Sequence, residues 1–250
     1  MVPLTDAEIQ KRRWKDVSII FQGAMNAMNP VKTVGWQIAE AIVLHEGVTM
    51  AEAMERAGDL LEQVEVPRDR VNRYPHEFSG GMKQRAMIAM ALACDPKLVI
   101  GDEPTTALDV MVQAQILNLL ERLRRERNMG MIIITHDLAI LAETCTHIAV
   151  MYAGKIMEIG TVDEIFNHAK HPYTKRLIGC FPNVEGQKTI PDGIPGYPPI
   201  LIDPPSGCLF HERCDCCCDE CSSVVPDNVD VGGGHMVACH LVDREEGANG

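Results

Sequence analysis

Two adjacent carboxylates, Asp102 and Glu103, close the apolar run LVIGDEP at 98–104. A buried strand of this kind delivers both to the carboxyl edge of a parallel sheet, where such sheets bind their ligands. One carboxylate there can hold Mg²⁺ through water while its neighbour polarises an attacking water. Upstream, Ser79-Gly80-Gly81 opens a helical stretch. The serine can cap that helix, and the glycines let backbone amides approach an anion at its positive end. His136 follows the apolar run 131–135, and Gln22 closes VSIIFQ at 17–22. Both would stand at the same sheet edge, within reach of a terminal phosphate. Each signal alone is weak, because many strands end in charged turns and many core helices start after glycine.

The elements that must carry these residues follow from hydrophobic period. Short β-branched runs at 17–22, 97–102, 131–135 and 147–152 read as buried strands. Helical spacing runs through 33–65 in two segments, through Ser79–Ala93, through Val110–Arg127 and onward from about Leu138. Strands alternating with helices predict an α/β fold with a mostly parallel sheet. Residues 154–160, GKIMEIG, read as a hairpin arm, and 162–178 as two short helices. The stretch 182–205 holds seven prolines and three glycines, so it is an extended connector rather than helix or sheet.

Composition narrows the class. A net charge of −12 argues against general nucleic-acid binding. No apolar run approaches the ~20 residues that span a bilayer, and the polar start MVPLTDAEIQKRRWKD is not a secretory signal. These features predict an intracellular chain that meets a membrane only through a partner. Of ten cysteines, Cys94, Cys145 and Cys180 are scattered, whereas seven fall between 208 and 239. Cys208, Cys214, Cys221 and Cys239 are spaced C-x5-C-x6-C-x17-C, with Cys216, Cys217 and Cys218 between them. Four thiolates can hold a [4Fe–4S] cluster or a tetrahedral Zn²⁺. The spacing lacks tight C-x2-C pairs among those four, which favours iron–sulfur. Zinc and metal-free thiols are the alternatives.

Taken in order, these pieces resemble the ATP-binding subunits of ABC transporters over about residues 15–166. FSGGMKQR at 78–85 matches the family signature, LVIGDEP the Walker B strand and ALD at 107–109 the D-loop. IITHD at 133–137 carries the switch histidine, and FQ at 21–22 the Q-loop. HPYTKRL at 171–177, IPGYPP at 194–199 and PSGCLFHERC at 205–214 resemble the C-terminal region of the oligopeptide and dipeptide importer branch, which also includes nickel importers. FQGAMNAMNP at 21–30 is similar to that branch's Q-loop region.

The resemblance implies a partial ABC-type ATPase domain over 1–166, with a helical subdomain at about 30–93. A helical, proline-rich connector at 167–205, an irregular cysteine-rich module at 206–240 and a flexible tail at 241–250 follow. It implies Glu103 as the catalytic base, with His136 and Gln22 at the γ-phosphate and Asp102 on Mg²⁺. Ser79, Gly80, Gly81 and Gln84 of the signature would contact nucleotide across a subunit interface, whereas Asp109 would contact nucleotide in the chain's own site. ATP, Mg²⁺ and a possible [4Fe–4S] cluster at Cys208, Cys214, Cys221 and Cys239 are the implied cofactors. A second ATPase subunit and membrane permease subunits are the implied partners, at the cytoplasmic face of the membrane.

One part of the family pattern is absent from these 250 residues. A phosphate-cradling loop reads G-x-x-x-x-G-K-[ST]. The single Gly-Lys pair, Gly154-Lys155, is followed by Ile156 and has Ala149 in place of the first glycine. The chain is therefore expected to be a piece of a catalytic subunit, inactive alone, with apolar sheet edges uncovered. The rival expectation is a non-catalytic partner that supplies its signature and a permease-docking surface. A soluble ABC ATPase of DNA repair or translation fits poorly with the acidic balance and the importer-type tail.

Overall fold

A computed structural model describes residues 4–23, 27–106, 108–180 and 193–242. The chain divides into two compact units, 1–138 and 139–250. Parts of the Q-loop region (24–26), Ala107 of the ALD triplet, much of the connector (181–192) and most of the tail (243–250) lie outside the described residues.

The first unit holds helices α1 (Asp6–Arg12), α2 (Val34–Glu46), α3 (Met50–Gln63), α4 (Gly80–Ala91) and α5 (Val110–Glu126). Its strands are β1 (Val17–Ile20), β2 (Leu98–Asp102) and β3 (Gly130–Ile134). They form one parallel sheet in the order β1-β2-β3, with Ile19 beside Ile100 and Ile100 beside Ile132. The starts of the longer helices are fixed by side-chain caps. Thr33, Thr49, Ser79 and Asp109 each accept a hydrogen bond from an amide three residues on. Each satisfies one of the donors that a helix start leaves free. Helix α2 ends at Gly47 in the left-handed region, as many helices do.

The core of this unit joins Ile20 and Val99 of the sheet to Ile38 and Ile42 of α2, Ala57 and Leu61 of α3, Ile88 of α4 and Leu120 of α5. Gly35 lets α2 approach the chain at Val71, where a Cβ would fall 2.5 Å from the Val71 carbonyl oxygen. The opposite sheet face leaves Ile19, Ile132 and Ile134 exposed.

The second unit contains α6 (Leu138–Thr144, which starts at the boundary), β4 (His147–Tyr152), β5 (Lys155–Thr161), α7 (Val162–Asn167) and α8 (Pro172–Gly179). Two short strands follow, β6 (Val229–Asp230) and β7 (Met236–Val237). Here the sheet is antiparallel in the order β4-β5-β7-β6. The run 147–152 pairs with 155–161 in a hairpin, as the hairpin arm expected at 154–160 requires, so it belongs to an antiparallel sheet. The reason is local. Ala153 and Gly154 both take positive φ, and a two-residue turn of that kind joins antiparallel strands only. The cysteine-rich module lends β7 to this sheet, so it is tied into regular structure at one edge. No helix among the described residues is long and apolar enough to cross a membrane.

Candidate functional site

Three strand ends of the first unit converge on Glu103. It follows β2 with a left-handed φ of 44°, unusual for a residue with a side chain. Its amide donates to the Ile134 carbonyl at the end of β3, 2.9 Å away. Parallel register therefore sets Glu103 beside His136, two residues past β3. Gln22, two residues past β1, arrives from the other side.

The carboxylate of Glu103 gathers three partners. Gln22 Nε2 donates to Oε2 at 2.7 Å, Thr106 Oγ1 donates to the same oxygen at 2.7 Å, and His136 Nδ1 lies 2.9 Å from Oε1. The Thr106 hydroxyl, then His136, hold the Glu103 carboxyl below its ordinary pKa. Glu103 is thus kept ionised, with acceptor capacity facing solvent. The His136 side chain is 78% exposed, so it is free to meet a ligand from outside. Asp102, on the same edge, ends β2 opposite Ile134. Thr106 escaped the sequence reading, although its i+3 spacing from Glu103 in a turn was a usable signal.

The other expected nucleotide contacts sit apart from this group. Ser79 Oγ accepts from the Met82 amide at 3.3 Å, and Gly80 and Gly81 form the first turn of α4. A Cβ on Gly81 would lie 3.1 Å from Val112, which places the α4 start against α5. Gln84 is buried, with its amide nitrogen left without a hydrogen-bond partner. Asp109 caps α5, its Oδ1 accepting from the Val112 amide at 3.0 Å. Among the described residues no hydrogen bond links Ser79, Gly80, Gly81, Gln84 or Asp109 to the Glu103 group.

These residues fit one end of a magnesium nucleotide. Paired carboxylates at the edge of a parallel sheet suit a hydrated cation and a polarised water, while Gln22 and His136 offer donors to phosphate oxygens. The cradle for the inner phosphates is not among them.

In the second unit, Cys208, Cys214, Cys221 and Cys239 line one small pocket with room for about one water molecule. Burial raises all four thiols, Cys214 to about 11 and Cys221 to about 12. The Cys221 sulfur faces Cys218 Sγ at 3.2 Å. Among the described residues no group of three or more His, Cys, Asp or Glu is set to hold a metal ion. The [4Fe–4S] cluster expected from spacing therefore finds no support. One of the four sulfurs, that of Cys221, is turned toward a fifth cysteine.

A carboxylate–histidine pair that the sequence did not single out lies in this unit. Glu158 on β5 is fully buried and bonds His235 Nε2 at 2.7 Å. It also accepts from the amides of Lys170 and His171, at 2.7 and 3.1 Å. His171 caps α8 through Nδ1, and burial lowers its pKa to about 4.

Residues 2–106 match the family model described as ABC transporter, and residues 157–221 match that for the oligopeptide/dipeptide transporter C-terminal region. The chain is 45% identical over 243 residues to the oligopeptide transport ATP-binding protein OppD of Haemophilus influenzae, covering 96% of this chain and 75% of that protein. It is 47% identical over 225 residues to the Escherichia coli OppD, covering 89% of this chain and 67% of that protein. Among solved structures, the ADP- and phosphate-bound dimer of the ATP-binding cassette MJ0796 aligns with a TM-score of 0.56 at 28% identity, covering 64% of this chain and 68% of that one.

Proposed function

Since the chain belongs to the OppD-type family of ABC transporter ATP-binding proteins, we propose that its Glu103 group activates water for ATP hydrolysis in a peptide importer. The observation that carries this reading is the convergence of Gln22, Glu103 and His136 in one hydrogen-bonded set at the carboxyl edge of a parallel sheet. Glu103 acts as general base, taking a proton from the water that attacks the γ-phosphorus as the bond to the departing ADP breaks. Gln22 orients that water, and His136 donates to a γ-phosphate oxygen from its exposed position. Asp102 would hold Mg²⁺, which would supply charge neutralisation to the nucleotide phosphates. Ser79, Gly80, Gly81 and Gln84 serve a nucleotide bound chiefly by a second ATPase subunit, while Asp109 serves the chain's own nucleotide. The α4 amides supply hydrogen-bond donors to that anion. Hydrolysis is passed to membrane permease subunits through residues 22–33, with the chain held peripherally at the cytoplasmic face.

These 250 residues contain no phosphate-cradling motif. The isolated chain is therefore expected to turn over no ATP, while an assembled transporter whose subunits include that motif does. In that assembly Glu103→Gln should lower ATPase by about 10² or more, the span removed with a general base. Unchanged turnover in the variant, or magnesium-dependent turnover by the pure chain, would sink this reading. A non-catalytic role is the second reading, favoured by the intact glycine pair at the capped start of α4. In that case Ser79→Arg abolishes activity of the assembly while Glu103→Gln leaves it intact.

A further inference from the structure

Cys216, Cys217 and Cys218 lie outside the four-cysteine spacing, and Cys218 begins the sequence Cys218-Asp219-Glu220-Cys221. A single 3₁₀ turn, Asp219–Ser222, folds this C-x-x-C segment back on itself. The Cys221 amide donates to the Cys218 carbonyl at 3.0 Å, which closes the turn. In return the Cys218 amide donates to Cys221 Sγ at 3.4 Å. The two sulfurs are left 3.2 Å apart. That is closer than van der Waals contact of two sulfurs and is a thiol–thiol hydrogen bond, and a disulfide at about 2.05 Å requires a further approach along the same line. Cys218 is partly exposed whereas Cys221 is buried, so a reagent from solvent meets Cys218 first.

We propose that Cys218 and Cys221 form a redox-active dithiol that exchanges with a low-molecular-weight disulfide. The Cys218 sulfur attacks one sulfur of that disulfide and loses its proton to solvent. A Cys218 mixed disulfide forms and one equivalent of small thiolate leaves. The Cys221 sulfur then attacks Cys218 Sγ, also losing its proton, and expels the second small thiolate. Both departing thiolates take up protons, so the protein loses two hydrogens and two electrons and the small disulfide gains them. Oxidation withdraws the Cys221 thiol from the pocket it shares with Cys208, Cys214 and Cys239. Metal ligation through Cys221 and the oxidised state therefore exclude each other.

The test uses the full chain, reduced and then exposed to excess oxidised glutathione. Remaining thiols are alkylated, and the cross-links are mapped by mass spectrometry without reduction. The expected result is a predominant Cys218–Cys221 link, lost in Cys218→Ser and kept in Cys216→Ser and Cys217→Ser. A predominant link between any other pair overturns the proposal. So do mixed disulfides alone, or no reaction at all. The wild-type map decides the pairing by itself, so the outcome does not hang on whether the variant folds.

Discussion

Two glutamates in this protein each hold a histidine, and they do so under opposite conditions. Glu103 and His136 meet at 2.9 Å with side chains 22% and 78% exposed. Glu158 and His235 meet at 2.7 Å with side chains 0% and 5% exposed. In the first pair solvent screens the attraction, so the contact adds little to stability and can be exchanged for a ligand. In the second no water can replace either partner, and Glu158 also satisfies the amides of Lys170 and His171. Removing Glu158 from such a set leaves donors without an acceptor in the interior. The same two residue types thus make an exposed, exchangeable contact in one unit and a buried pin in the other. Exposure decides between them.

The comparison is broken most severely at the buried pair. Glu158→Ala should cost several kcal/mol in chemical unfolding, because it leaves the Lys170 and His171 amides and His235 without their acceptor, at roughly 1–3 kcal/mol for each unsatisfied group. The same measurement on Glu103→Ala should show far less change. Equal losses from the two variants would erase the distinction.

A somewhat smaller effect is expected from pH. The pKa of His171 is lowered from 6.5 to about 4, first by burial, with Glu158 opposing. The unfolded chain therefore binds a proton more readily than the folded one between those values. Stability contributed by neutral His171 is complete above about pH 6.5 and is lost as pH falls toward about 4. The whole span amounts to roughly 3 kcal/mol. His171→Asn keeps a capping side chain and should flatten that slope, read from denaturant midpoints at several pH values. A slope unchanged in the variant assigns the pH dependence to other groups.

The smallest change sharpens the exposed side. Thr106→Val removes the hydroxyl that contributes most to holding the Glu103 carboxyl low. The Glu103 pKa should rise toward its ordinary value, visible by carboxyl-carbon NMR, with unfolding midpoints unmoved. If the pKa stays where it is, His136 and Gln22 set it instead.

Much of the reactive edge was legible because it depends on strand ends. VSIIFQ, LVIGDEP and IITHD each run apolar and then stop at the functional residue, and parallel pairing brings such stops to one edge. Ser79 was legible as the residue at a helix start and is a cap, whereas the capping role of Asp109 at the start of α5 comes from the structure. Helix α1 was passed over because it buries no side chain and so leaves no apolar stripe, although Thr5 and Glu8 form a capping box. The apolar period of 147–152 marks a strand, and the hairpin arm expected at 154–160 supplies its antiparallel partner. Glu158 was overlooked. In KIMEIG it reads as a charge on an ordinary hairpin strand, and nothing nearby announces its partners.

What the sequence determined by itself is the placement of Gln22, Asp102, Glu103 and His136 at strand ends, since strand termini and apolar period are local properties. The tertiary structure alone decided which glutamate is dry, which histidine is neutral and which cysteines touch. Those outcomes depend on desolvation by segments far away along the chain, as His235 reaches Glu158 across 77 residues. Local propensity carries no record of that distance.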